Sequence, residues 1–211
     1  MEYYLWGTSS REKYAWLDIN EPEPIKKIWY KIHRGYPVKD IYPLQEEVIW
    51  DLDPQKGKLV GAFVPNANGL KVVNTAFKEV LEKESGATFE FLPLKIRDHR
   101  KRIVPETYWF ANLLDLVHCL DVKRSDFDWC PMEETQVRRF CRCVLDQSKI
   151  PEGKKLFRLG ERKVDWIIEE ELVFKIAYEY ALGGAGYEKL KNYGSEFRCP
   201  YSYVPDPELG Y

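Results

Sequence analysis

The chain has 211 residues, 45% of them hydrophobic and 31% charged, with a formal net charge of −2. That length and apolar content suffice for a substantial core and exclude a disordered or fibrous class. The near-neutral charge leaves no global basic field, so non-specific nucleic-acid binding is not expected as the main activity, and the absence of any run of 18 apolar residues argues against a membrane span.

The N-terminal stretch carries Glu2 and no apolar signal region, which points to the cytoplasm. Five cysteines, at 119, 130, 141, 143 and 199, fit reduced thiols better than a disulfide framework. Cys141 and Cys143 stand too close together, with no further ligand cluster, to suggest a metal site. Neither a metal nor another cofactor is expected. Aromatic residues reach 15%, a payload that serves both cores and protein contacts.

The aromatic, apolar residues 2–6 (EYYLW) read as a first strand, ended by the turn residues 7–10. Residues 18–54 hold five prolines, a density that excludes long helices and predicts short strands and extended connectors. Within them residues 25–35 alternate loosely, with Lys26, Lys27 and Lys31 outward and Ile28, Tyr30 and Ile32 inward. His33 has no partner that would make it catalytic and reads as a surface or capping residue.

Residues 58–64 read as a strand and 65–69 as a turn. A second apolar piece, 70–73, leads to Asn74, a good N-cap for a helix over 75–84, with Ala76, Phe77, Val80 and Leu81 on one face and Ser85-Gly86 as its stop. Residues 88–96 return as a strand. The basic turn 97–102 then reads as a tight connection before Ile103-Val104. The spacing of Phe110, Leu113, Leu114 and Val117 predicts a helix or a strand–helix junction over 108–120, with His118 at its interior or boundary.

Near the C-terminus LFRL (156–159) reads as a strand and 160–163 as a turn. Residues 166–168 open a helix carrying Leu172, Ile176, Tyr178 and Tyr180, which Gly183-Gly184 stops before a return strand over 187–193. The order strand, apolar entry, helix, glycine, strand thus occurs twice, over 59–94 and 156–193. The fold class expected is α+β, with mixed or antiparallel sheets and a few packed helices, either as two related lobes (1–88 and 89–211) or as one continuous domain.

No catalytic constellation is present. There is no GxSxG, P-loop or HExxH, and the glycines at 183, 184 and 186 follow a helix where a phosphate loop would precede one. Two segments could instead meet a partner. One is the basic turn with its neighbouring rings: Arg97, His99, Arg100, Arg102, Tyr108 and Trp109. The other, favoured slightly, is acidic: Asp121, Asp126, Asp128, Trp129, Glu133 and Glu134, suited to a partner with a positive cleft.

The aromatic strand EYYLW, the run FLPLKIRDHRKRIVPETYWFANLLDLVHCLD and the stretch LDQSKIPEGKKLFRLGERKVDWIIEEEL occur in an order similar to a known pattern. The chain resembles the immunity proteins of bacterial polymorphic-toxin systems, a family first recognised as a group of myxobacterial paralogues. The resemblance implies a non-catalytic protein that binds and occludes a cognate toxin. An adaptor or chaperone for a secreted effector is the alternative, followed by a nucleic-acid-binding protein. The sequence leaves the oligomeric state open.

Overall fold

The structure, a computed structural model, describes residues 1–8 and 11–190. The strands are β1 (Tyr3–Thr8), β2 (Ile49–Asp51), β3 (Phe63–Val64), β4 (Val72–Asn74), β5 (Phe89–Arg97), β6 (Tyr108–Leu113), β7 (Leu116–Val117), β8 (Asp126–Cys130), β9 (Glu133–Arg142), β10 (Leu156–Leu159), β11 (Arg162–Glu169) and β12 (Ala185–Lys189). The helices are α1 (Trp29–His33), α2 (Thr75–Glu84) and α3 (Glu170–Phe174), which continues as a π-helical turn (Lys175–Glu179). The architecture is α+β, as the sequence predicts.

Two five-stranded sheets carry the fold, one in the order β12-β1-β11-β10-β7 and the other β2-β5-β6-β4-β3, while β8 and β9 pair with each other. Both sheets draw on both halves of the chain. In the second sheet the hairpin β3–β4 leads through α2 to β5, and β6 lies antiparallel between β4 and β5. In the first sheet the hairpin β10–β11 leads through α3 to β12, and β1 lies antiparallel between β11 and β12. The two strand–helix–strand units of the sequence therefore share one sheet topology, apart from residues 191–193, which fall outside the described part.

Side-chain alternation distributes the core over three layers. Tyr4 and Trp6 of β1 and Trp166 and Ile168 of β11 face a central core, which also takes Phe77, Val80 and Leu81 of α2 and Leu172, Val173 and Ile176 from the α3 segment. Tyr3, Phe157, Leu159 and Ile167 face the opposite way, toward Val137 and Phe140 of β9. On the far side of the second sheet, Leu92, Leu94, Ile96, Tyr108 and Phe110 pack under Ile25, Ile28 and Ile32 of the proline-rich segment.

This layering corrects several expectations. Residues 108–117 form two strands and no helix: β6 is covered on both faces, so its near-continuous apolar run imitates a buried helix. Val117 and Cys119 point inward and His118 outward, where it is 66% exposed and pairs with Glu161 at 3.4 Å. Residues 29–33 form a helical turn instead of an alternating piece; Ile28 and Ile32 are buried, but Tyr30 is exposed. In the 58–64 region only residues 63–64 join a sheet, although Leu59 bridges Tyr14.

The helix over 75–84 agrees with the structure, and its cap is intact: the Asn74 carboxamide oxygen accepts from Phe77 N at 2.9 Å. The Asn74 amide also donates to Glu106 at 2.7 Å. Asn74→Ala is expected to lower stability by about 1–2 kcal/mol, the usual loss for an N-cap with one further bond. An unchanged denaturation midpoint would remove the cap from the account.

Candidate interaction surface

The most constrained charged side chain lies inside the protein. Within LFRL, Leu156 faces the central core while Phe157 and Leu159 face the opposite layer, so alternation turns Arg158 inward as well. It is 1% exposed and its guanidinium N–H groups are directed at backbone oxygens: Nε donates to Leu113 O at 2.6 Å, one terminal nitrogen to His33 O at 2.7 Å and Lys163 O at 2.8 Å, and the other to Ile32 O at 2.9 Å. These bonds join the last carbonyls of α1 to β6 and to the start of β11. The Trp166 ring stacks near the guanidinium, 5.2 Å from its centre.

Burial works against the charge on Arg158, but the four carbonyls hold its protons and the group stays cationic. His33 lies in the last turn of α1, half-buried beside Trp29. Burial and the nearby Arg158 and Lys71 push its pKa down to about 4, which keeps the ring neutral. Gly35 follows in a left-handed conformation (φ 75°), where a Cβ would collide with the Arg158 side chain and the Leu113 carbonyl.

The loop after α1 is pinned from the second sheet. Buried Asn112 donates to Tyr36 O at 2.8 Å and to Glu90 at 3.1 Å, and Glu90 accepts from Val38 N at 2.8 Å. Above this anchored loop the tip of the β8–β9 hairpin arrives. Glu133 pairs with Arg34 at 3.5 Å and with Lys163 at 3.4 Å, and Lys163 lies 5.7 Å from the Tyr36 ring centre. Met132 at the tip is 95% exposed, Trp129 is 44% and Tyr36 is 41%. Trp129 is braced edge-on by Phe127 at 4.7 Å.

Five of the six residues of the acidic segment lie along the hairpin, Asp126 at its base and Glu133 and Glu134 near its tip, with Asp121 just before it; several of their charges are paired. Asp128 pairs with Arg139 at 3.0 Å and Arg138 at 3.5 Å, and Asp121 with Arg124 at 2.8 Å. Asp126 is opposite Arg142 in the register, and Glu134 is exposed. The surface is therefore a mixed-charge field with apolar points at Trp129, Met132 and Tyr36.

The basic turn is placed on the second sheet. Arg97 forms a two-point pair with Asp51 (Nη2–Oδ2 2.8 Å), and Arg102 makes one with Asp98 at 2.8 and 3.0 Å. Asp98 also accepts from the backbone N–H groups of Arg100 and Arg102, and these bonds hold its carboxyl below the usual range. Tyr108 is fully buried and donates its hydroxyl proton to the carbonyl of Gly61 or the carboxylate of Glu106, while Trp109 is partly covered by Lys78. The ring of Tyr108 belongs to the core.

A model of the Immunity protein family (Imm11) matches residues 10–192. The chain belongs to this family. No curated protein matches it. The Imm11 match takes in the α1 loop, the hairpin and the LFRL strand, and family membership assigns the protein to toxin immunity in general. Cys119, Cys130, Cys141 and Cys143 are free thiols. Among the described residues there is no cluster of three potential metal ligands and no helix long and apolar enough to cross a membrane. Nothing in the sequence of this Imm11 protein marks Arg34, Tyr36 or Lys163 as neighbours of the hairpin; the first two lie about 90 positions before it and Lys163 lies 30 after Glu133, and only the sheet packing joins them.

Proposed function

We propose that this Imm11 protein neutralises a cognate toxin by binding and occluding it, with no chemistry of its own, and that the β8–β9 hairpin tip together with the 34–36 loop is the surface that does so. The family match over residues 10–192 carries the reading. Support for the surface comes from its composition: Trp129 and Met132 stand out at the tip end of a strapped hairpin, with Asp128, Glu133 and Glu134 on the same end and Asp121 and Asp126 toward its base. Tight interfaces place aromatic anchors at the centre and charges at the rim. The proposed compartment of encounter is the cytoplasm, which suits four free thiols.

Co-expression with the toxin encoded at the same locus is expected to restore growth. Trp129→Ala combined with Met132→Ala is expected to weaken toxin binding roughly a hundredfold and abolish rescue, while the melting temperature stays within about 2 °C, because both side chains are exposed. Full rescue and unchanged affinity in that variant would move the interface elsewhere, and improved toxin export without rescue would replace immunity by an adaptor role.

A further inference from the structure

The cleft between the 97–103 turn and the 52–60 segment plays no part in the surface described above. It encloses about 660 Å³, a size ordinary for small-molecule sites. Lys58, Arg100 and Arg102 contribute cationic groups to its lining, while Leu52, Val60 and Pro105 supply apolar wall. Asp98 is the only carboxylate among the lining residues, and it is already taken by Arg102 and by two backbone N–H groups of its own turn. Arg97 and Lys101, which would otherwise add to the field, are drawn away to Asp51.

What remains is a surplus of positive charge. Lys58 and Arg100 have no ion-pair partner among the described residues, and both belong to the cleft lining. Between them His99 carries a second mark of an incomplete site. Its Nδ1 and Nε2 each expose less than 1 Å² and hydrogen-bond to nothing, an unfavourable state for two polar atoms. The turn that carries it is rigid, closed by Asp98 N to Arg102 O at 2.8 Å and Lys101 N to Asp98 O at 2.9 Å, with Lys101 in the left-handed region (φ 62°). With the backbone of the turn fixed, His99 can adjust through its side chain.

We propose that this cleft binds a small molecule that carries an oxyanion, carboxylate or phosphate, on an apolar body. Lys58 and Arg100 take the oxyanion by charge-assisted bonds, Leu52, Val60 and Pro105 cover the body, and His99 turns into the cleft to give the ligand the hydrogen bond its ring lacks in the free protein. The site is independent of toxin binding and does not rest on it.

Calorimetric titration with phenyl phosphate at low ionic strength tests this. Saturable binding is expected, about tenfold tighter than that of inorganic phosphate, which has no apolar body. Lys58→Ala with Arg100→Ala is expected to weaken phenyl phosphate at least about tenfold, and Lys101→Ala, whose ammonium is held by Asp51, to leave it unchanged. His99→Phe keeps the ring volume and removes the orphan nitrogens; it is expected to melt no lower than the parent while binding several-fold more weakly. Absence of saturation, or affinity indifferent to loss of both Lys58 and Arg100 side-chain charges, would overturn the proposal. Unaltered affinity in His99→Phe would remove His99 from the site.

Discussion

Arg158→Met is expected to cost the protein at least about 4 kcal/mol and to lower its melting temperature by roughly 10 °C. Two effects oppose each other. Removing a buried cation relieves its desolvation, which favours the variant. Against this, the carbonyls of Ile32, His33, Leu113 and Lys163 lose the donors that satisfy them, and each buried oxygen left unpaired costs about 1–3 kcal/mol. Four such losses outweigh one relief. Arg158→Lys is expected to rescue little, since a single ammonium on a flexible stem cannot reproduce a fork that spans three segments. Denaturant titration gives the energy, and amide exchange should show the end of α1 and the 34–36 loop opening first. A fall of less than about 3 °C would mean that these carbonyls find other partners.

Lys71→Met is expected to act in the opposite direction, stabilising the protein at pH 7 by about 2 kcal/mol. Lys71 is 8% exposed, donates only a long bond to Trp6 O at 3.3 Å, and lies 6.0 Å from the Trp166 ring that Arg158 approaches at 5.2 Å. Burial, and after it the charge of Arg158, lowers its pKa to about 8, against which Asp165 works weakly. A group with a lowered pKa binds its proton less well folded than unfolded, so its penalty is full below pH 8 and vanishes as pH rises toward the unfolded value of 10.5. The advantage of Lys71→Met should therefore be full at pH 7 and below, and close to nil only once the pH has passed 10.5.

The comparison must be made as a difference between variant and parent. Burial pushes the thiols of Cys119 and Cys143 up to about 12, so their contribution falls as pH rises past the ordinary thiol value of 9, and it cancels in the difference. A pH-independent gain, or none at pH 7, would show that Lys71 is neutral or hydrated in the folded state. Because Arg158 depresses the Lys71 pKa, the two substitutions should not add. Lys71→Met is expected to gain less in the Arg158→Met background.

Sequence periodicity reveals those elements whose local chemistry and tertiary role agree. The Asn74-capped helix, residues 88–96, the 97–103 connection and LFRL all lie where their pattern puts them, and the first strand does too, although it runs on through Gly7 and Thr8, where turn residues are expected to end it. The pattern misleads where burial is two-sided, as in β6, whose apolar residues serve two cores at once. It is silent where register slips: β8 and β9 pair with three irregularities and turn through Pro131-Met132, without glycine or asparagine, so neither alternation nor turn chemistry announces a hairpin. Of the candidate site, the segment 121–134 is legible as a charged surface with a tryptophan. The arginines that balance it, and the 34–36 loop that meets it, come together only through packing. Arg158 and Lys71 draw no notice in the sequence, since nothing in LFRL or in the residues around Lys71 distinguishes a side chain aimed at carbonyls from one aimed at water.

The shared topology of the two sheets also sets an order of assembly. The second sheet holds all five of its strands once residue 113 has been synthesised, and its strand pairs are far closer in sequence than those of β1, with Ile49↔Lys95 among the widest. The first sheet places β1, made first, between β11 and β12, made last, so the opening strand has no sheet partner until residues 162–189 have been synthesised, and Trp6 can meet only Phe63 and Phe77 before then. Arg158 cannot find all its carbonyls before then either. Translation delivers the hairpin after the 34–36 loop but before β10 and β11, against which β9 packs, and a chain stalled before β11 would present Trp129 and Met132 on an unfinished base.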